Sequence, residues 1–176
     1  ALAAQPAVAG DLPVTPAAGA TIYPSHFDIV GLDITISGGY VNDALTDLTV
    51  RNLTGVGFYD GISGLRLYVD RGPAGFQGLG IDDDRGLGTY HAATANWYWQ
   101  NLNVVVPADG LRIYVAVETA TTVTTGATVE LAIPVGSDLD SDGLFDIGDQ
   151  GMFFALQADG PTTALRNSLA HTLYNT

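Results

Sequence analysis

Cysteine and lysine are missing from this chain, methionine occurs once, and glutamate only twice, at Glu118 and Glu130. Without cysteine there is no disulfide frame and no thiolate to serve as nucleophile or ligand, although cysteine-free chains occur in every compartment. All 6 basic residues are arginine, against 19 acids, and the formal net charge is -13. A field of that sign repels nucleic-acid phosphate and anionic lipid, so neither is an expected partner. It attracts divalent cations, and it equally keeps a protein soluble in a salty medium. Nowhere do about 18 apolar residues run together, so no membrane-spanning helix is expected.

Catalytic patterns are also lacking. His26, His91 and His171 lie far apart in no metal-ligand spacing such as HExxH, and each reads as a surface or turn histidine. There is no GxSxG elbow. Gly78-Leu79-Gly80 is followed by Asp82, Asp83 and Asp84, whose charges would repel a phosphate. Both glutamates fall inside strand-like runs, so a glycosidase carboxylate pair does not stand out. The chain is expected not to be an enzyme.

What is present favours strands. Hydrophobic residues make up 47% of 176 residues and glycine is abundant, which fits one strand-rich domain with an ample core. The opening run is rich in Ala, Pro and Val and starts at Ala1 without methionine, as a chain does after signal-peptide removal; a secreted, extracellular or cell-surface location is expected. Residues 1–21 carry one charge, Asp11, and Pro6, Pro13 and Pro16 interrupt any helix, so they form an extended arm ahead of a domain at 22–176.

From Phe27 the pattern has period two: Phe27, Ile29, Leu32, Ile34 and Ile36 alternate with Asp28, Asp33 and Thr35, with a slip at Val30-Gly31 that reads as a bulge. Further strands are expected at Leu45–Leu53, Leu65–Val69, Tyr90–Val106, Leu111–Glu118 and Thr128–Val135. Turn signals such as Asp60-Gly61, Asp109-Gly110 and Thr125-Gly126 separate several of them. Asp70–Gly88 reads as a looser stretch. Around Thr162–Leu173 a helix competes, because Leu165, Leu169 and Leu173 recur every four residues. The expected fold is all-β, an antiparallel β-sandwich of Ig-like or jelly-roll-like type with an extended N-terminal arm.

The most specific motif is Asp138-Leu-Asp140-Ser-Asp142-Gly143-Leu144-Phe-Asp146-Ile-Gly-Asp149. Acids stand at positions 1, 3, 5, 9 and 12, with glycine at 6. Calcium takes six to eight hard oxygens, and a loop that coils round the ion supplies them from alternate residues. Gly143 permits the sharp turn, Leu144 offers its carbonyl, Asp146 acts directly or through water, and Asp149 closes the sphere. Bound Ca2+ is therefore expected. The loop resembles those of EF-hands and dockerins, with two departures. Position 12 is Asp where regulatory EF-hands usually carry Glu, and TVELAIPVGS before it reads as a strand. A loop leaving a strand cannot open a helix pair, which favours a structural ion over a sensor.

Asp82, Asp83 and Asp84, with Asp70, form a candidate second metal site. Three adjacent carboxylates gain from a cation but diverge in direction, and a solvated acidic loop is the alternative. In Trp97-Tyr98-Trp99 the two indoles share one strand face and Tyr98 takes the other. The tryptophans are candidates for core packing, for a protein interface, or for stacking on a sugar. Asn52-Leu53-Thr54 is a glycosylation sequon, with Asn52 the acceptor.

The segments LTDLTVRNL…GISGLRLYVD and LRIYVAVETATTVTTGATVELAIP resemble Ig-like modules of prokaryotic surface proteins over about half the chain. Thr15-Pro-Ala-Ala-Gly-Ala20 is similar to the start of cannula subunits from hyperthermophilic archaea, whose calcium-dependent tubes, like pilus fibres, use such sandwiches. The resemblance implies a self-assembling extracellular subunit. In this expectation the arm, at Ala7–Val14 with Val8, Leu12 and Val14 as contacts, completes a neighbour's sheet by donor-strand addition. Pro13 and Pro16 limit its pairing to one edge. The alternative is a calcium-stabilised carbohydrate-binding or adhesion module that uses Trp97 and Trp99 on glycans.

Overall fold

The computed structural model describes residues 14–15, 18–36, 40, 42–54, 61–71, 75–137, 149–156, 165–166 and 170–175. Among them the strands, in chain order, are β1 Thr21–Ile22, β2 Ile29–Ile36, β3 Ala44–Asn52, β4 Ile62–Val69, β5 Asp83–Leu87, β6 Thr89–His91 and β7 Asn96–Trp99. They continue with β8 Val104–Val105, β9 Leu111–Thr119, β10 Thr128–Val129, β11 Leu131–Ile133, β12 Met152–Phe154, β13 Leu165–Arg166 and β14 His171–Leu173. The protein is all-β, an antiparallel sandwich.

One sheet has the order β2-β9-β4-β5, and the other runs β13-β11-β3-β7-β6, with β12 and β8 also on β3. A small third sheet, β1-β14-β10, contains the one parallel pair among these strands, β1 with β14. The chain passes from the first sheet to the second between β5 and β6, and from the third to the second between β10 and β11.

The alternation anticipated from sequence is what fills the interior. Along β9, Leu111, Ile113, Val115 and Val117 enter the main core, where Leu48 and Val50 of β3 and Trp97 and Trp99 of β7 face them from the other sheet. Each fully buried aliphatic side chain of this kind contributes about 1.5–3 kcal/mol. Of the intervening residues of β9, all but the half-buried Arg112 are buried too. Tyr114 and Ala116 form a second cluster with Tyr68 of β4, covered by Phe76, whose ring lies 5.3 Å from Tyr68 and 5.2 Å from Tyr114.

The bulge falls where the slip in the pattern placed it: the β2–β9 register shifts between Val30 and Leu32. Gly31 sits there because a Cβ on it would come within 2.5 Å of Leu131 Cδ1. Other boundaries differ from expectation. Phe27 is 61% exposed; Asp28 takes a left-handed backbone, φ 58°, and the strand begins only at Ile29. Tyr90–Val106 is three strands rather than one, since Ala95, Asn101 and Asn103 all have positive φ and break the ladder. The loose stretch Asp70–Gly88 contains β5, which pairs with β4. The described part of the C-terminal segment is β, not helix: Leu165 pairs with Ile133, and Leu173 is buried on β14. Open strand partners outweigh a four-residue periodicity in so short a segment.

Candidate functional site

Asp138, Asp140, Asp142, Leu144 and Asp146 lie outside the described residues; Asp149 and the base of the loop lie within them. Ser137 and Gln150 form an antiparallel bridge with both hydrogen bonds made, Ser137 N donating to Gln150 O at 2.8 Å and Gln150 N to Ser137 O at 3.1 Å. The twelve residues between them thus start and finish at adjacent points, the closure a chelating loop requires. Asp149 is fully buried, at 0% exposure.

The base is tied to the sandwich at three further points. Arg51 Nη2 donates to Gln150 Oε1 at 2.6 Å while its Nε donates to Asn96 Oδ1 at 3.0 Å. Thr49 N donates to Gly151 O at 2.8 Å. Met152 pairs with Leu48 of β3. The donor set of the motif, carboxylates and one carbonyl, consists of hard oxygens of the kind calcium prefers. Closed loop ends on a rigid sheet fit that chemistry.

The second acidic group does not converge. Asp70 accepts the Tyr114 hydroxyl at 2.9 Å. Asp82 is buried and accepts the backbone N–H groups of Gln77 at 2.7 Å and Gly78 at 2.9 Å, tying the loop that carries Phe76. Asp83 pairs with Arg85 at 2.8 Å and Arg71 at 3.4 Å, and Asp84 pairs with Arg66 at 2.8 Å. The expectation of a second cation site is corrected: Asp83 and Asp84, consecutive on β5, point apart, and arginines, backbone amides or the Tyr114 hydroxyl already hold at least one oxygen of each of the four carboxylates. Among the described residues no three His, Asp or Glu side chains converge to hold a metal.

On the same face Arg112 makes two bonds to Asp33, at 2.7 and 2.6 Å, and this bonding raises the guanidinium pKa above its ordinary value. Arg66 also donates to Glu118 at 2.6 Å, so that glutamate is a structural partner. Burial first, then hydrogen bonding to Asp28 and Asp70, pushes the Tyr68 and Tyr114 hydroxyls up from their usual range. These tyrosines stay protonated donors, which is what holds their carboxylate partners in place.

Trp97 and Trp99 are 1% and 4% exposed and belong to the main core, so neither offers a ring face to a sugar or a partner. That corrects both surface readings. Trp97 packs against Tyr90 with centroids 4.8 Å apart and the rings inclined at 48°, and Trp99 Nε1 donates to Gly86 O at 2.9 Å. Tyr98 takes the opposite face, as alternation requires, and is itself buried, its hydroxyl 3.0 Å from Thr94 Oγ1.

Asn52 is corrected as a glycan acceptor. It is 7% exposed; its Nδ2 donates to Thr128 O at 3.4 Å, and its Oδ1 accepts from Glu130 N at 2.8 Å. Thr54 Oγ1 bonds both Asn52 Oδ1 and Thr128 O. The sequon is a clamp between β3 and β10, and a sugar on Nδ2 would break it.

Of the arm residues, Val8 and Leu12 lie outside the described residues. Val14 bridges Ile34 of β2 in antiparallel sense, and Thr15 N donates to Asp33 O at 2.8 Å. The end of the arm therefore rests on its own sheet. The donor reading loses Val14, because its backbone already has a partner in cis.

His26 and His91 are half-buried near turns, as expected. His171 is not a surface residue: it is 2% exposed on β14, with both ring nitrogens engaged. Nothing in its spacing marks it out. Only the meeting of β14 with β2 and the segment before β1 gives it partners. No protein-family model matches this chain, and no curated protein matches it in sequence.

Proposed function

We propose that this chain is a structural subunit of an extracellular filament, tube or surface layer, assembled by strand addition between copies and stabilised by calcium. The observation that carries the reading is the two-bond Ser137–Gln150 closure on the sandwich, which bounds a stretch of sequence holding a full set of calcium-type oxygen donors. A static clamp of that kind serves architecture. The second half of the reading takes the outer edge of β2, where Val14 pairs in cis, as the acceptor that another copy's arm would occupy in exchange for that cis contact. An edge strand that receives an arm in one chain has the geometry to pair with a strand from another copy. The reading assigns no catalysis. A glycan-binding reading through Trp97 and Trp99 is not carried forward, because both are buried.

Two measurements test it. Calcium at a hundredfold excess over its dissociation constant is expected to stabilise the fold by about 2.7 kcal/mol. For a chain of this size that raises the melting temperature by about 5–11 °C. Melting curves that coincide in calcium and in chelator would end the metal reading. For assembly, electron microscopy of the calcium-loaded protein should show ordered polymers, and deletion of residues 1–13 should leave folded monomers. Polymers formed equally well by the truncated chain would remove the arm from the mechanism.

A further inference from the structure

The outer edge of β2 is closed at two places by different parts of the chain. Near its C-terminal end it carries the Val14–Ile34 bridge and the Thr15 N–Asp33 O bond of 2.8 Å. Near its N-terminal end the Val30 carbonyl is 3.0 Å from His171 Nε2. The other ring nitrogen of His171, Nδ1, is 3.1 Å from the backbone N of Ala20. One imidazole thus spans the gap between the segment leading into β1 and the edge of β2.

The chemistry of the two partners dictates the state of the ring. A backbone N–H only donates and a carbonyl only accepts, so Nδ1 must present its lone pair and Nε2 must carry the hydrogen. Only the neutral Nε2–H tautomer satisfies both contacts. An imidazolium would set a second N–H against Ala20 N–H and would place a charge in a site 2% exposed. The Ala20 carbonyl accepts from Thr172 N at 2.9 Å, so the same residue ties this segment to β14 through its other backbone group.

We propose that His171 is a proton-released latch that ties Ala20, and with it the contacts of Val14 and Thr15, to the outer edge of β2. Burial lowers the pKa of the ring below its ordinary 6.5, opposed by the bond to Val30. The sign follows from that direction. Above 6.5 the ring is neutral in closed and open chains alike, and the latch is fully closed. As pH falls from 6.5 toward the lowered value of the closed form, the open form takes up the proton first, so closure weakens across that window and levels off below it.

The ionisable groups on the packed elements do not rescue the charge. Asp28, just before β2, accepts the Tyr68 hydroxyl, and Asp33 on β2 is held by Arg112. Glu130 follows Val129, the residue paired with His171 on β10. β1 carries no ionisable side chain, and Tyr23 and Tyr174 flank β1 and β14.

The latch stands on this geometry alone; its use in controlling the arm during assembly rests on the proposed function. Amide hydrogen exchange by NMR on the monomer tests the latch apart from assembly, which electron microscopy reads. After correction for intrinsic rates, the Thr15, Ala20 and Thr172 amides are expected to lose at least about tenfold protection between pH 7.5 and pH 5. The Ile113 and Val115 amides of β9 should hold theirs. Unchanged protection at the three sites, or a uniform loss that includes β9, overturns the proposal. So does a ring nitrogen spectrum at pH 7.5 showing hydrogen on Nδ1. His171→Gln keeps a donor and an acceptor but does not titrate. It should retain protection at pH 7.5 and lose the pH response; a response that persists in this variant also overturns the latch.

Discussion

Gly151→Ala is expected to cost about 2–6 kcal/mol, the sum of backbone strain and overpacking. Gly151 has φ 130°, a region that side-chain-bearing residues avoid, and a Cβ there would stand 2.5 Å from Gly136 Cα and 3.0 Å from Gly136 N. Both atoms are backbone, so no rotamer change relieves the clash. The two glycines lie beside the Ser137–Gln150 bridge, and Gly151 O also accepts from Thr49 N. Any movement therefore opens the acidic loop's base and pulls Met152 from its place on β3. Gly126→Ala is the matched control: φ is 83° there, but nothing lies within 4 Å of the added methyl. It should cost only the strain, about 1–3 kcal/mol. Denaturant melts of the two variants separate clash from strain. Equal midpoints would show that the close approach of Gly136 and Gly151 does not matter to the fold. If the loop holds calcium as proposed, the affinity measured by titration calorimetry should fall in Gly151→Ala and hold in Gly126→Ala.

Trp97→Ala should destabilise the protein by about 3–5 kcal/mol. The indole is 1% exposed, packs against Tyr90 and sits across the ladder from Val50. Its buried Nε1–H has no acceptor among the described residues, so its contribution is packing rather than hydrogen bonding. Trp97→Phe is expected to cost much less, because it keeps most of the ring contact and removes an unpaired donor. Trp99 differs: its Nε1 bonds Gly86 O at 2.9 Å, so Trp99→Phe leaves that carbonyl without its donor. If Trp97→Ala melts like the wild type, the side chain is not the core anchor described above. Loss of a surface interaction at unchanged stability would return it to the interface role.

Much of the sandwich was legible from residues near one another in the chain. Alternation from Phe27 on placed Leu32, Ile34 and Ile36 inside, and the slip at Val30-Gly31 marked a bulge. Alternation also put Tyr98 opposite Trp97 and Trp99. It could not tell that both faces are covered, because Tyr98 is enclosed by the turn before β7 and Tyr114 by Phe76. Asp82, Asp83 and Asp84 illustrate the same limit. A run of acids in sequence looks like a cation site, but their fate depends on Arg66, Arg71 and Arg85 and on the Gln77 and Gly78 amides.

The acidic loop was the clearest feature of the sequence because its information is local: the spacing of its acids and its glycine is read within twelve residues and needs no distant partner. The structure adds how its ends meet, through Ser137 and Gln150, and how Arg51 binds that base to β3. The β-rich character and the bulge thus follow from local periodicity and stereochemistry. The burial of Trp97, Trp99 and Asn52, the cis pairing of Val14 and the placing of His171 between Ala20 and Val30 follow from long-range strand pairing. Contacts between residues from 20 positions apart (Val14 and Ile34) to 151 (Ala20 and His171) depend on which edges meet when the sheets close, and no short window of sequence encodes that.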